Sequence, residues 1–415
     1  MYGTQGVAAA SNIPGARALA VTGADTDGNF WLFGGAVGIS PGIPGLTSGT
    51  PEEINDLWKY SPSSGEWTWV GGSNQIDQVG SYGTEGTAAA GNIPGARFDA
   101  TGSVDSSGNL WVFGGAGYTP ASFGILNDLW KYSAGEWTWV SGSDVINQIG
   151  SFGNQGVADP GNVPMARYDS VSWNDTARNF WLFGGASYAG GLLNDLWKFS
   201  PNSGEWTWMG GFTSAGQYGT QGTAALNNIP GIRAESVSWA DSSGNLWLFG
   251  GYGYDSASNI GILNDLWKYS PTSGEWTFMG GSETINSSGS FGTQGTASST
   301  NSPSARQGSV GWSDASGNLW LFGGLGQDST GTAGTLNDLW KYSGGEWTWV
   351  SGSKLADQFG TYGTEGTAAT GNAPGSRYNA MTWTDASGNL WLFGGNSSET
   401  AGDFIGLNDL WEYKP

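Results

Sequence analysis

Apolar residues along the chain gather in short, strand-length runs set between clusters of Gly, Asp, Asn and Ser, and the runs come in recurring sets of four. In the second set they read RFDATGSV (97–104), NLWVFGG (109–115), NDLWKYS (127–133) and GEWTWVSG (135–142), here strands A, B, C and D. The A–B and C–D turns, such as DSSGN and SPSSGE, are short and rich in residues that favour tight reversals, which predicts antiparallel hairpins. In strand C of the first set, Leu57 and Lys59 point one way and Trp58 and Tyr60 the other, while Trp67 and Trp69 share a face of strand D. Strand B, with FWLFGG, is apolar on both faces. A sheet covered on both sides fits that pattern, and four-stranded sheets stacked radially bury both faces against their neighbours.

The strand-B glycine pairs begin at Gly34, Gly114, Gly184, Gly250, Gly323 and Gly394, so six units follow one another. The expected fold is all-β, a six-bladed β-propeller of four-stranded antiparallel blades in one domain, 1–415. Its blades lie near 17–70, 97–140, 167–209, 233–279, 306–350 and 377–415, after a lead-in segment, 1–16. The glycine pair, a Tyr in strand C and a Trp in strand D (Gly34, Gly35, Tyr60 and Trp67; Gly114, Gly115, Tyr132 and Trp137) resemble the kelch repeat. The resemblance covers essentially the whole chain, although these units are longer than the roughly 50 residues usual for the motif. It implies a kelch-type propeller of the kind found in secreted bacterial proteins, similar to the central domain of galactose oxidase without its copper site.

The sixth unit reads NDLWEYKP at 408–415, so the last blade is expected to lack its outer strand in this chain. The resemblance implies that a GEWTWV-like strand upstream of Met1 completes the ring. Other readings are that residues 1–10 bend back over the edge, that the edge stays open, or that another chain donates a strand, because an uncovered edge is a template for pairing. Glu412 stands where the other five units have lysine.

Composition adds exclusions. With 74 Gly and 25 Trp among 415 residues and 12 % charged residues, a turn-dense all-β protein is favoured over a helical or disordered one. The net charge of −21, with cations scattered at repeat positions, argues against nucleic acid as partner. Cysteine and histidine are both absent, which removes thiolate chemistry, the commonest general base and the commonest transition-metal ligand. Copper oxidase activity, which needs histidine and a cysteine-linked tyrosine in the galactose-oxidase-like enzymes, is thereby excluded; no cofactor and no metal are expected. No run of 18 apolar residues suggests a membrane span, and the acidic, lysine-poor composition leans towards the extracellular side or the cell surface.

A meander puts the B–C and D–A connections on one face. The D–A segments (YGTQGTAAAGNIPGAR and its variants) barely change, which suits a structural element packed over each blade. The B–C connections vary in length and sequence, so specificity is expected there, with Tyr118, Phe123, Tyr188, Tyr252, Tyr254, Asp255, Asp328 and Asp403 as candidate contacts; the alternative is that they are merely solvated. Arg17, Arg97, Arg167, Arg233, Arg306 and Arg377 open strand A. They form either a ring gripping an anionic ligand or six pairs with Asp56, Asp128, Asp195, Asp265, Asp338 and Asp409, which open strand C. Lys59 and its counterparts are expected to pair with Glu66 and its counterparts across strands C and D. The Asp25-Thr26-Asp27-Gly28-Asn29 turn superficially resembles a calcium loop, but most copies carry one acid and read as plain hairpin turns. No acid stands out from the repeat pattern as a glycosidase pair. The expected function is a non-catalytic binding or scaffold propeller that recognises a protein or glycan, with homo-oligomerisation by strand donation at the last blade as an added option. The alternative is a carbohydrate-active hydrolase, lyase or epimerase using loop carboxylates.

Overall fold

The computed structural model describes residues 1–37, 52–211, 215–400 and 403–415, with the side chains of 398–400 and 403–405 outside that description. Every regular element among the described residues is a β-strand, and the strands form antiparallel meanders, one sheet for each of repeats two to six and two sheets, of five and three strands, for repeat one. In repeat two, strand A is Arg97–Phe98 and Thr101–Val104, B is Leu110–Tyr118, C is Phe123–Ser133 and D is Glu136–Ser141. Strands B and C are thus longer than the apolar runs suggest. Ala116, Gly117 and Tyr118 pair with Ile125, Gly124 and Phe123, so the variable connection is a hairpin extension of the sheet instead of a loose loop.

The glycine pair marks where neighbouring repeats meet. Gly114 and Gly115 have φ of +61° and +92°, and the B–C register shifts between Phe113 and Gly115. A Cβ on Gly114 would lie 2.8 Å from the carbonyl oxygen of Arg167, the first residue of strand A in the next repeat. Only glycine combines that backbone angle with that approach.

Aromatic side chains bury the sheet faces between repeats. The strand-B tryptophan of each repeat meets the strand-C aromatic of the next: Trp31 with Tyr132, Trp111 with Phe199, Trp181 with Tyr269, Trp247 with Tyr342 and Trp320 with Tyr413. Trp391 of repeat six then meets Tyr60 of repeat one at 5.8 Å, so the series returns to its start. The inner strands do the same through backbone bonds. Asp99 N–H donates to Leu19 O, Asp169 to Asp99, Glu235 to Asp169, Gly308 to Glu235, Asn379 to Gly308 and Leu19 to Asn379, at 2.7–3.3 Å. All of these residues have positive φ, which breaks strand A and turns each amide towards the neighbouring repeat. The whole is an all-β repeat architecture consistent with a β-propeller.

The D–A connections cross from one repeat to the outer edge of the next. Gly86 N–H donates to Trp139 O, Ala89 bridges Trp137, and Asn92 Nδ2 donates to Trp137 O. They are structural elements, as their uniformity suggested. Residues 1–16 do the same for repeat one: Ala8–Ala9 pairs with Thr68 and Trp67, and Asn12 Nδ2 donates to Trp67 O. This corrects the reading in which residues 1–10 fold over the edge of repeat six. That sheet has three strands, Met381–Thr384, Leu390–Thr400 and Asp403–Tyr413, and no fourth strand covers it among the described residues.

The lysine–glutamate pairs do not form among the described residues. In the observed register Lys59 opposes Thr68, while Glu66 opposes Ser61. The ammonium groups of Lys59, Lys131, Lys198, Lys268 and Lys341 instead lie 5.6–5.8 Å from the strand-B tryptophan rings, within cation–π range. Glu412 opposes Trp391 at the sixth such position and is bridged by Lys414 at 3.3 Å.

Candidate functional site

The six arginines are taken up inside the molecule. Each guanidinium has no exposed side-chain surface and forms two bonds of 2.6–2.8 Å to the strand-C aspartate of its own repeat. Its remaining donors reach backbone carbonyls, as when Arg233 donates to Gly231 O and Gly250 O. The aspartates are saturated too, since Asp265 also accepts from Trp267 Nε1 and from the Tyr218 hydroxyl, at 2.7 Å each. Of the two roles weighed for these residues, the geometry is that of internal pairing, and it leaves no guanidinium edge facing solvent.

The B–C hairpins divide into two kinds of residue. Tyr118 and Phe123 face each other across the tip of the repeat-two hairpin with ring centroids 5.1 Å apart, Phe123 being exposed. Tyr188 is 60 % exposed on repeat three, and Tyr252 is exposed on repeat four beside the half-buried Tyr254. Asp255 and Asp328 behave differently, because both are buried turn caps. Asp255 accepts from the amides of Ala257, Asn259 and Ile285, and Asp328 from those of Thr330, Thr332 and Ala356. Burial alone would raise their pKa, but these donors outweigh it and hold both carboxyls below the usual range. Neither carboxylate is directed outward to a ligand. The side chain of Asp403 lies outside the described residues.

The A–B turns are capped in the same manner. Asp25 accepts from the amides of Asp27 and Asn29 and from Trp31 Nε1. These are the hairpin turns that their composition suggested, and no group of three or more His, Cys, Asp or Glu among the described residues is disposed to hold a metal ion.

One cluster escaped the sequence reading. The residue two positions after each repeat arginine is Leu19, Asp99, Asp169, Glu235, Gly308 or Asn379, the ring of positive-φ residues around the axis. Three consecutive members are acids, which contradicts the reading that no carboxylate stands apart from the repeat. Burial pushes Asp99 up to about 7, offset in part by its interaction with the Asp169 carboxyl. Asp169 is raised well above the carboxylate range by burial and by the neighbouring Asp99. Glu235 is pushed up to about 8 by burial and Asp169, while Gln307 Nε2 donates to both its oxygens at 3.1 Å. Tyr378, raised to about 12 first by burial and then by Glu235, and Tyr168 stand beside them. The signal was available: a position that varies chemically inside an otherwise uniform repeat.

Compared with known proteins, the chain matches no family model and no curated protein. The fold and the site chemistry therefore define it only as an all-β repeat protein with propeller-like sheets. No helix among the described residues is long and apolar enough to cross a membrane.

Proposed function

We propose that the chain is a six-bladed kelch-type propeller that works as a non-catalytic binding or scaffold module at the cell exterior, recognising a protein or glycan through its B–C hairpins. The observation that carries this reading is the series of aromatic side chains, Phe123, Tyr188 and Tyr252, exposed on the variable hairpins of three consecutive repeats. Aromatic rings supply large contact area for little conformational entropy, and they stack on sugar or peptide surfaces alike. The Arg–Asp pairs beneath them are buried and neutralise each other, so the ligand chemistry rests with the hairpin tips.

The axial acids favour a second reading, a carbohydrate-active enzyme. A cluster of carboxyls whose pKa is raised towards neutrality by burial is the setting from which general acids are drawn. In this reading Glu235, Asp99 and Asp169 act, and the loop acids Asp255 and Asp328 do not.

A glycan array probed with the wild-type chain and with a Phe123→Ser, Tyr188→Ser, Tyr252→Ser variant separates the two. Binding by the wild type, weakened about tenfold or more in the variant at unchanged Tm, is the expected result. Release of sugar from an arrayed glycan, lost on Glu235→Gln alone, would replace the binding reading with the enzymatic one.

A further inference from the structure

The buried acids at the axis stand in a setting rich in hydrogen-bond acceptors and poor in donors. Asp99, Asp169 and Glu235 follow one another round the ring of positive-φ residues, whose amides are spent on neighbouring carbonyls and do not serve the carboxyls. Glu235 receives Gln307 Nε2 on both its oxygens at 3.1 Å. The next ring position, Gly308, has no side chain, and two acceptors close over it. A Cβ there would lie 2.4 Å from Asn379 Oδ1 and 3.4 Å from Glu235 Oε2.

Two further buried oxygens, Asp99 Oδ1 and Asn396 Oδ1, accept no hydrogen bond among the described residues. Asn396 is not an acid and is 3 % exposed, so its bare carbonyl is an observation separate from the carboxyls. It reaches the same space: the Asn396 side chain interacts with the Tyr378 hydroxyl, on which Glu235 and Asp99 both act. A buried acceptor without a donor carries a desolvation penalty that an N–H from a ligand would remove.

Charge points the same way. The charges acting on the three acids and on Tyr168 and Tyr378 are those of the acids themselves. The six repeat arginines are committed to their own aspartates. The net charge of −21 adds long-range attraction for cations. A bare metal ion does not fit, because no group of three or more acids among the described residues is disposed to hold one. Acceptors spread in this way match a larger cation that distributes several N–H donors, and tyrosine rings suit its body.

We propose that the axial cluster binds an organic cation bearing a guanidinium or primary ammonium group, whose N–H donors meet Asp99, Asp169, Glu235, Asn379 and Asn396. This needs neither binding at the hairpin aromatics nor turnover, so it stands or falls apart from both readings of the function. A bound cation favours ionised carboxyls, so binding expels protons from these acids and tightens as pH rises. Tyr168 and Tyr378, the other titratable groups facing the cluster, keep their protons throughout, since both are raised above the ordinary tyrosine value.

The test is calorimetric titration of the intact 415-residue chain with agmatine, which carries both a guanidinium and an ammonium group, in about 0.15 M salt to screen the net charge. The expected result is one agmatine per chain, bound about tenfold or more tighter at pH 8.5 than at pH 6, with proton release between buffers of different ionisation enthalpy. Asp99→Asn and Glu235→Gln are each expected to weaken it about tenfold or more at pH 8.5. Both substitutions keep the side-chain shape and remove a charge that burial disfavours, so the variants are expected to fold, which their Tm verifies. A short peptide ending in arginine that binds as tightly as agmatine would support the proposal with a partner protein as the source of the cation; exclusion of that peptide while agmatine binds would support it with a free amine. No saturable binding of agmatine at either pH, equal binding of tetramethylammonium, which has no N–H donor, or unchanged affinity in both folded variants would overturn it.

Discussion

Replacing Asp265 with alanine is expected to cost about 3–5 kcal/mol of stability, measured by denaturant unfolding, because it leaves a buried cation without its partner. Arg233 has no exposed side-chain surface and spends two bonds of 2.7 Å on this carboxylate. The same substitution also strands the indole N–H of Trp267 and the hydroxyl of Tyr218, which both donate to Asp265. Asp409→Ala supplies an internal comparison. Its carboxylate has the same three kinds of donor but is partly solvated, so water can replace some of what is lost and the cost is expected to be smaller. Equal losses at the two positions would mean that burial does not govern these pairs.

Raising the pH from 5 to 9 is expected to lower Tm through the axial acids. Asp99 and Glu235 have folded-state pKa values raised from 3.8 to about 7 and from 4.5 to about 8, and Asp169 is raised as well. A carboxyl whose pKa is higher in the folded state binds its proton more tightly there. Stability is therefore greatest below the unfolded values and declines as pH climbs through the folded ones. Taken as independent, the Asp99 and Glu235 shifts alone amount to a loss on the order of 7 kcal/mol across that window. An Asp99→Asn, Asp169→Asn, Glu235→Gln variant should show a much flatter profile. Part of the slope should remain, because Glu53, raised to about 8 by burial and by its neighbour Asp77, lies away from the axis and titrates in the same range. Below pH 4 the sign reverses. The turn aspartates Asp105, Asp241, Asp314 and Asp385 are held low by their donors despite burial, and their contribution disappears as they protonate.

Much of this architecture was legible because the repeat writes each structural role six times. The strand-C Trp-x-Tyr alternation gave the buried and half-buried faces, and the regular spacing of Arg and Asp exposed their pairing as a candidate. Strand length was harder to read. The extension of B and C into hairpins depends on backbone pairing by Ala116, Gly117 and Gly124, which carry no strand-like apolar pattern. The lysine assignment failed for a related reason: periodicity gives the face of a residue but not the inter-strand register, and Lys59 ended opposite Thr68 with its ammonium over Trp31. The axial acids were obscured because each looks like an ordinary strand residue near Arg. Their common positive φ and their meeting at the axis arise only when the repeats are arranged around it.

The arrangement of the repeats around one axis is tested most directly by native-state hydrogen exchange at the amides of Leu19, Asp99, Asp169, Glu235, Gly308 and Asn379. The six donate to one another in a continuous ring, and the bond from Leu19 to Asn379 joins the first repeat to the last. All six are expected to exchange at similar, strongly protected rates, set by global unfolding. Fast exchange at Leu19, with protection kept at the other five, would show that repeats one and six part in solution and would contradict the ring.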